Sequence, residues 1–416
     1  MPEDNHFIRN TAAISAVELF WGMGLPVVIE STFLQLFLKN LGANSFLIGL
    51  IPTLFFIGIS FFSLFSGLLT GHLRRKKKAV LTLHIIASMP ILVFGIILNV
   101  FGFANNTLKF FFILYTLFSI GIGLLLPAWQ NYITGIYSDK KILSGHSFMW
   151  IAQSLGKFIG GFIILKVVSK YSFSSRGSAL IFTLVGFLFI AGSLFFLFTK
   201  ELPEGEEVPS EEQDVSGKHK FSKDFKNALH NRNFLLLLAS DLELFSLITI
   251  LSFYANYAVT YCGIEAGTAA GGFVILNYLG MIGINVLYGM SPSFKLKHKY
   301  ITGKFISLTA ALSLWFFSGI WAFFVVSFLM GMSRGARSLV YMPTIKKISG
   351  VEDSTNFFGI APLLTMPMST GIPLLSGAFL DKFSYLGSDS YRYLFLALAV
   401  LITAGILLLK KTEFPV

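Results

Sequence analysis

Arg334 and Arg337 lie three residues apart in an otherwise apolar stretch, so on a helix they share one face, with Tyr341 four residues further on. Two planar guanidiniums side by side can hold a carboxylate or phosphate through paired hydrogen bonds. A third cation, Lys157, falls at the middle of another apolar stretch. Four anions stand in similar surroundings: Glu18 and Glu30 in the first stretch, Asp241 and Glu243 in the seventh. A charge inside hydrocarbon costs ~2.5–3.5 kcal/mol on insertion scales, and such residues face a cavity or a partner. Lys157, Arg334 and Arg337 are therefore expected to bind an acidic group on a small polar solute. Glu30, Asp241, Glu243 and Glu18 are the candidates for ion coupling, with a proton as the ion, because a carboxylate whose surroundings alternate takes up and releases one.

The remaining polar candidates are weaker. Asp241 and Glu243 point to opposite sides of a continuous helix, which excludes a carboxylate pair. Glu18 is near enough to one end of its stretch to snorkel to the interface. Tyr254 and Tyr257 share a stripe with Glu243, Ile250 and Tyr261, read either as a cavity wall or as aromatic packing. Gln130 and Asn131, just past Pro127, offer hydrogen bonds to a solute, or to a neighbouring helix as Gln153 does. A competing reading of all seven charges is a static network of internal salt bridges. Enzyme chemistry has no support: the sequence holds one cysteine, Cys262, no H-E-x-x-H helix and no phosphate-binding G-x-x-x-x-G-K-[ST] loop. No metal and no cofactor are predicted.

The elements that carry these residues follow from composition. Of 416 residues 54% are hydrophobic and only 13% charged, with a mean hydropathy of +0.73. A soluble domain carries about twice that charge. Twelve apolar stretches, each long enough to cross ~30 Å of hydrocarbon as a helix, occur near 12–38, 45–70, 79–102, 109–137, 143–168, 177–199, 233–261, 266–290, 299–318, 321–345, 355–381 and 390–409. They predict an all-α polytopic membrane protein with two six-helix bundles, 1–199 and 233–416, joined by a charged linker at 200–232. In the linker, Phe221, Phe225 and Leu229 have the spacing of a surface helix. The polar start, Met1 to Asn10, predicts no cleavable signal.

Charge sets the orientation. With the N-terminus inside, the inner segments hold 22 Lys and Arg, Lys304 among them, and the outer segments seven. Both termini and the linker are then expected in the cytoplasm, with the chain in the cytoplasmic (inner) membrane. The net charge of +11 is accounted for by topology and membrane lipids, so no nucleic-acid partner is expected.

The halves read as copies. Lys140-Lys141-Ile142-Leu143-Ser144-Gly145 is echoed by Lys346-Lys347-Ile348-Ser349-Gly350. Gly67 and Gly71 before a basic run, with Arg74, Arg75 and Lys76, are echoed by Gly289 and Ser293 before Lys295, Lys297 and Lys299. Duplication of this kind is found in transporters whose halves rock about a central site. Glycines followed by Pro26 in the first stretch predict a bend or break near 22–26.

With six plus six spans, a central linker and basic loops after spans 2 and 8, the chain resembles the major facilitator superfamily over its whole length. Gly67, Arg75 and Lys76 fit that family's loop pattern, while Gly71 stands where the family has Asp, His72 where it has a basic residue and Arg74 where it has Gly. The resemblance implies a monomeric secondary transporter working by alternating access, without the helix-capping Asp that latches the family's outward-facing state. The loop residues Gly67, Arg74, Arg75 and Lys76 are then the expected conformational element. The rival readings are a lipid or lysolipid flippase with a laterally open cavity, and a transporter-like sensor.

Overall fold

The computed structural model describes residues 6–29, 31–70, 75–137, 141–201, 225–289, 295–349 and 355–414. The first half of the chain folds as α1 (Phe7–Val28), α2 (Ser31–Asn40), α3 (Ser45–Ile57), α4 (Ser63–Thr70), α5 (Lys77–Phe101), α6 (Thr107–Gly135), α7 (Ile142–Tyr171) and α8 (Ser175–Leu194). The second half forms α9 (Arg232–Ala239), α10 (Leu242–Tyr261), α11 (Phe273–Gly289), α12 (Leu296–Phe316), α13 (Ile320–Ser349), α14 (Thr355–Lys382) and α15 (Ser388–Lys411). One-turn π-helices, Gly58–Phe62 and Thr268–Gly272, join α3 to α4 and lead into α11. Among the described residues, eleven segments are long and apolar enough to cross a membrane. The twelfth crossing is α12, whose first nine residues carry Lys297, Lys299 and Lys304.

Helices are imposed by the solvent. Hydrocarbon cannot hydrogen-bond a peptide group, so each crossing must satisfy its own backbone. The break expected in the first span lies further along than the glycines. Helix α1 runs through Pro26 to Val28, and α2 starts afresh at Ser31. Glu30, at that join, lies outside the described residues. The glycines serve close packing instead: a Cβ on Gly22, Gly156 or Gly160 would collide with a backbone oxygen across the α1–α7 contact.

The halves are tied together from mid-depth to the face opposite the chain ends. Gln35 on α2 donates to the Leu251 carbonyl of α10 (2.7 Å) and accepts from the Asn256 N–H (3.1 Å). At the rim, both carboxylate oxygens of Asp381 on α14 accept from the first amides of α3, Ser45 (2.7 Å) and Phe46 (2.8 Å). Gly49 and Gly377 let α3 and α14 approach until a Cβ would meet the carbonyls of Pro373 and Ser45. Thr53 donates to the Thr370 carbonyl at 3.0 Å in the same contact.

The duplication is visible in side-chain clamps at the chain-end face. Lys77 Nζ holds the carbonyls of Leu197 and Thr199; Lys297 Nζ holds those of Lys410 and Thr412. Asn10 and Asn231 likewise donate to the carbonyls of Ile136 and Ile348. The acceptor residues are 212 or 213 apart (Ile136 and Ile348, Leu197 and Lys410) and the donors 220 or 221 apart (Lys77 and Lys297, Asn10 and Asn231). The Lys-Lys-Ile echo has a shorter offset and joins unlike places: Lys141 precedes α7, whereas Lys346 and Lys347 lie within α13. Glu201, expected to open the linker, caps α5 by accepting from the Lys76 and Lys77 amides at 2.7 and 3.1 Å. Residues 225–230 are helical, with Phe225 packed on the core and Leu229 exposed.

Candidate functional site

Two groups of charges emerge from the packing. The first straddles the halves. Glu18 on α1 is 4% exposed and accepts from Gln153 Nε2 at 2.7 Å, so it does not snorkel. Gln153 lies one helical turn before Lys157 on α7, and Lys157 is the positive charge acting on Glu18. The buried indole N–H of Trp129 on α6 lies beside the same Glu18 carboxylate. Lys157 Nζ reaches across to the second half, 5.2 Å from the ring centroid of Tyr278 on α11. The residue before Tyr278, Asn277, accepts from Arg334 Nη1 at 3.0 Å through its side-chain oxygen and donates to the Ser327 carbonyl at 3.3 Å. Lys157 and Arg334 therefore bear on consecutive residues of one helix from opposite halves. Contact this close needs Gly331, where a Cβ would overlap the Asn277 carbonyl.

The second group lies inside the C-terminal half, at the interruption between α9 and α10. Arg337 grips Asp241 at two points, Nη2–Oδ2 2.7 Å and Nε–Oδ1 3.3 Å, and stacks 4.0 Å above the Tyr341 ring. Tyr300 donates to the same carboxylate at 3.4 Å. Two residues on, Glu243 pairs with Lys304 at 3.0 Å, with side chains 2% and 1% exposed. Ser307 and Ser333 donate to the other Glu243 oxygen, and Lys304 also takes the Ser240 carbonyl at 2.8 Å. Because the helix is interrupted at Ser240, Asp241 and Glu243 do not diverge as on a continuous helix. Both turn toward residues of α12 and α13.

Lys304 went unrecognised in the sequence because it sits nine residues into α12, behind Lys297 and Lys299, and reads as part of a basic loop. Its one local signal is apolar sequence starting immediately after it. Arg334 and Arg337 share a helix but have separate partners, Asn277 and Asp241. Tyr254 and Tyr257 form a packing stripe. The Tyr254 hydroxyl pairs with Ser327 at 3.3 Å, and Tyr257 stacks on Tyr391 while accepting from Arg392 at 3.2 Å. Gln130 is exposed on α6, and the side chain of Asn131 lies outside the described residues. Of the loop set, Gly67 falls on α4, Arg75 is exposed, Lys76 gives its amide to Glu201, and Arg74 lies outside the described residues.

Comparison with known proteins follows the fold. A bacterial homolog of the human lysosomal transporter Spinster, in an inward-facing and unoccupied conformation, superposes with a TM-score of 0.69 at 13% identity, over 99% of this chain and 98% of that one. A point mutant of the nucleoside transporter NupG gives 0.65 at 13% identity, over 98% and 100%. A structure described under substrate recognition in proton dependent oligopeptide transporters gives 0.70 at 14% identity, over 98% and 100%. No curated protein sequence matches the chain. The family profile described as Major Facilitator Superfamily matches residues 19–337. On that match, and with an all-helical fold superposing on transporters from end to end, the chain belongs to the Major Facilitator Superfamily.

Proposed function

We propose that the protein is a secondary transporter that moves a small anionic or zwitterionic solute across the cytoplasmic membrane by alternating access, with a proton as coupling ion. The observation that carries this reading is the convergence of Lys157 and Arg334, from opposite halves, on consecutive residues of α11, with buried Glu18 next in line. A solute carboxylate or phosphate placed between an ammonium and a guanidinium draws the halves together, which is what a carrier's occluded step requires. Arg337 adds positive field one turn away while Asp241 holds its fork. An anion that engages Lys157 competes with Glu18 for that charge, so solute binding and proton uptake at Glu18 are linked.

The bundles 1–199 and 233–416 are the moving bodies in this reading, and 200–232 is their cytoplasmic tether. The contacts at the face opposite the chain ends support a conformation closed to the outside. Several solved structures of the same fold are described as peptide or nucleoside transporters, so zwitterionic peptides, nucleosides and organic anions make up the ligand panel.

The test is a thermal-shift screen of purified protein followed by uptake into proteoliposomes. Arg334→Lys is expected to weaken binding about ten-fold despite keeping the charge, because an ammonium cannot reproduce the planar fork. Glu18→Gln is expected to abolish pH-driven uptake and leave solute exchange largely intact. An organic cation as preferred ligand, with Arg334→Lys neutral, would overturn the reading.

A further inference from the structure

On the outside of the C-terminal half, between α12 and α15, runs a groove of about 380 Å³ lined by Leu308, Leu312, Leu396, Val400, Ala404 and Leu407. From Leu396 to Leu407 it follows α15 for roughly 16 Å at 1.5 Å per residue. One leaflet's hydrocarbon is about that thick, half of ~30 Å. The walls are aliphatic, so the groove suits an extended acyl chain.

The end of the groove nearest the chain termini is basic. Lys410 Nζ lies 5.6 Å from the ring centroid of Phe305, three residues before Leu308 on α12, and Lys411 follows it at the exposed end of α15. Lys297 Nζ is anchored beneath them on the carbonyls of Lys410 (3.1 Å) and Thr412 (2.8 Å). Glu413 is the acidic group at this corner, and its amide is tied to Asn233. The equivalent corner of the N-terminal half has the same clamp without the lysine pair, and there Arg9 Nε donates to the Phe198 carbonyl at 2.6 Å. Lys77 holds Leu197 and Thr199, so Leu197 and Phe198 stand where Lys410 and Lys411 do. The lysine pair is therefore not a requirement of the repeated fold.

We propose that this groove is a binding site for one anionic glycerophospholipid, its acyl chain along α12 and α15 and its phosphate on Lys410 and Lys411. Van der Waals packing along the groove holds the chain, which is already out of water, and each basic residue at the membrane surface adds attraction for an anionic headgroup. The lipid bridges α15 to α12, the helix that carries Lys304, so its binding braces the Glu243 ion pair from outside. The site is separate from the Lys157–Arg334 convergence.

Native mass spectrometry of the full-length protein, titrated with phosphatidylglycerol and with phosphatidylcholine of identical chains, tests the proposal. The wild type is expected to retain phosphatidylglycerol on the order of ten-fold more tightly. Lys410→Ala with Lys411→Ala should erase that preference and leave phosphatidylcholine unchanged. Ala404→Phe, which fills the groove and keeps both lysines, should weaken both lipids. Lys166→Ala with Lys170→Ala, which removes two exposed lysines at the opposite face, should change neither. Equal retention of the two lipids by the wild type, or equal loss of preference in the Lys166 and Lys170 variant, would overturn the proposal. So would undiminished binding by Ala404→Phe.

Discussion

Lys304 and Glu243 have surrendered nearly all their contact with solvent, and each is compensated by the other and by hydroxyls and a freed carbonyl. Removing one partner of such a pair leaves a bare charge, which costs about 3–5 kcal/mol, while replacing both with apolar groups is often neutral. Lys304→Met is thus expected to lower the thermal transition of the detergent-solubilised protein sharply, and Lys304→Met with Glu243→Leu to recover most of the loss. A double variant no better than the single would show that the pair does more than neutralise itself. The Asp389–Arg392 pair gives the contrast. At 3.7 Å with side chains 57% and 38% exposed, it is screened by solvent, and Asp389→Ala should change stability by less than about 0.5 kcal/mol.

Helix termini as well as helix faces hold the halves together at the face opposite the chain ends. The first amides of α3 have no partner within their own helix, and Asp381 supplies one from the opposite half. The resemblance to the family implies a loop Asp capping a helix at the other face, and here Gly71 stands in its place. Hydrogen bonds to a charged acceptor contribute ~1.5–3 kcal/mol. Asp381→Ala should shift the equilibrium by that amount away from the state described. Spin labels at Lys39→Cys and Lys382→Cys, on a Cys262→Ser background, should report it as a broader and longer distance distribution. An unchanged distribution would mean that the α3–α14 glycine contact suffices alone. Gly49→Val tests that contact directly, because its side chain must collide with the Pro373 carbonyl in the closed state.

At the scale of the whole molecule the duplication is a repeated way of tying helix ends. Lys77 and Lys297 each bind two terminal carbonyls, and Asn10 and Asn231 each bind the end of another helix at the same face. All four tie helix ends within their own half, so each half can tilt as a unit without unravelling at its ends. Lys77→Met and Lys297→Met should each destabilise by about 1.5–3 kcal/mol, the range for charged hydrogen bonds. A large effect in one half with none in the other would break the equivalence. For topology, tags placed after Val416 and within 202–224 should be protected in right-side-out vesicles. An accessible C-terminus would invert the orientation.

The number of crossings and their all-helical nature were legible in the sequence because they depend on local composition, whereas the burial of Lys304, masked by a basic run, was not. A run of apolar residues in lipid must be helical to satisfy its backbone, whatever its neighbours do. The role of the α1 glycines was not legible: read beside Pro26 as a bend, they serve contact with α7, which depends on where that helix lies. Nor were partners. Glu18 finding Gln153, Lys304 finding Glu243 and Asp381 finding the amides of Ser45 and Phe46 link residues 61 to 336 positions apart. Those meetings depend on the rotation of each helix about its axis and on where α9 gives way to α10. Residues three or four apart can be assigned a common face from helical geometry alone. Whether that face meets a carboxylate, a tyrosine ring or lipid is decided only when the whole bundle packs, because the energy of a buried charge depends on what surrounds it.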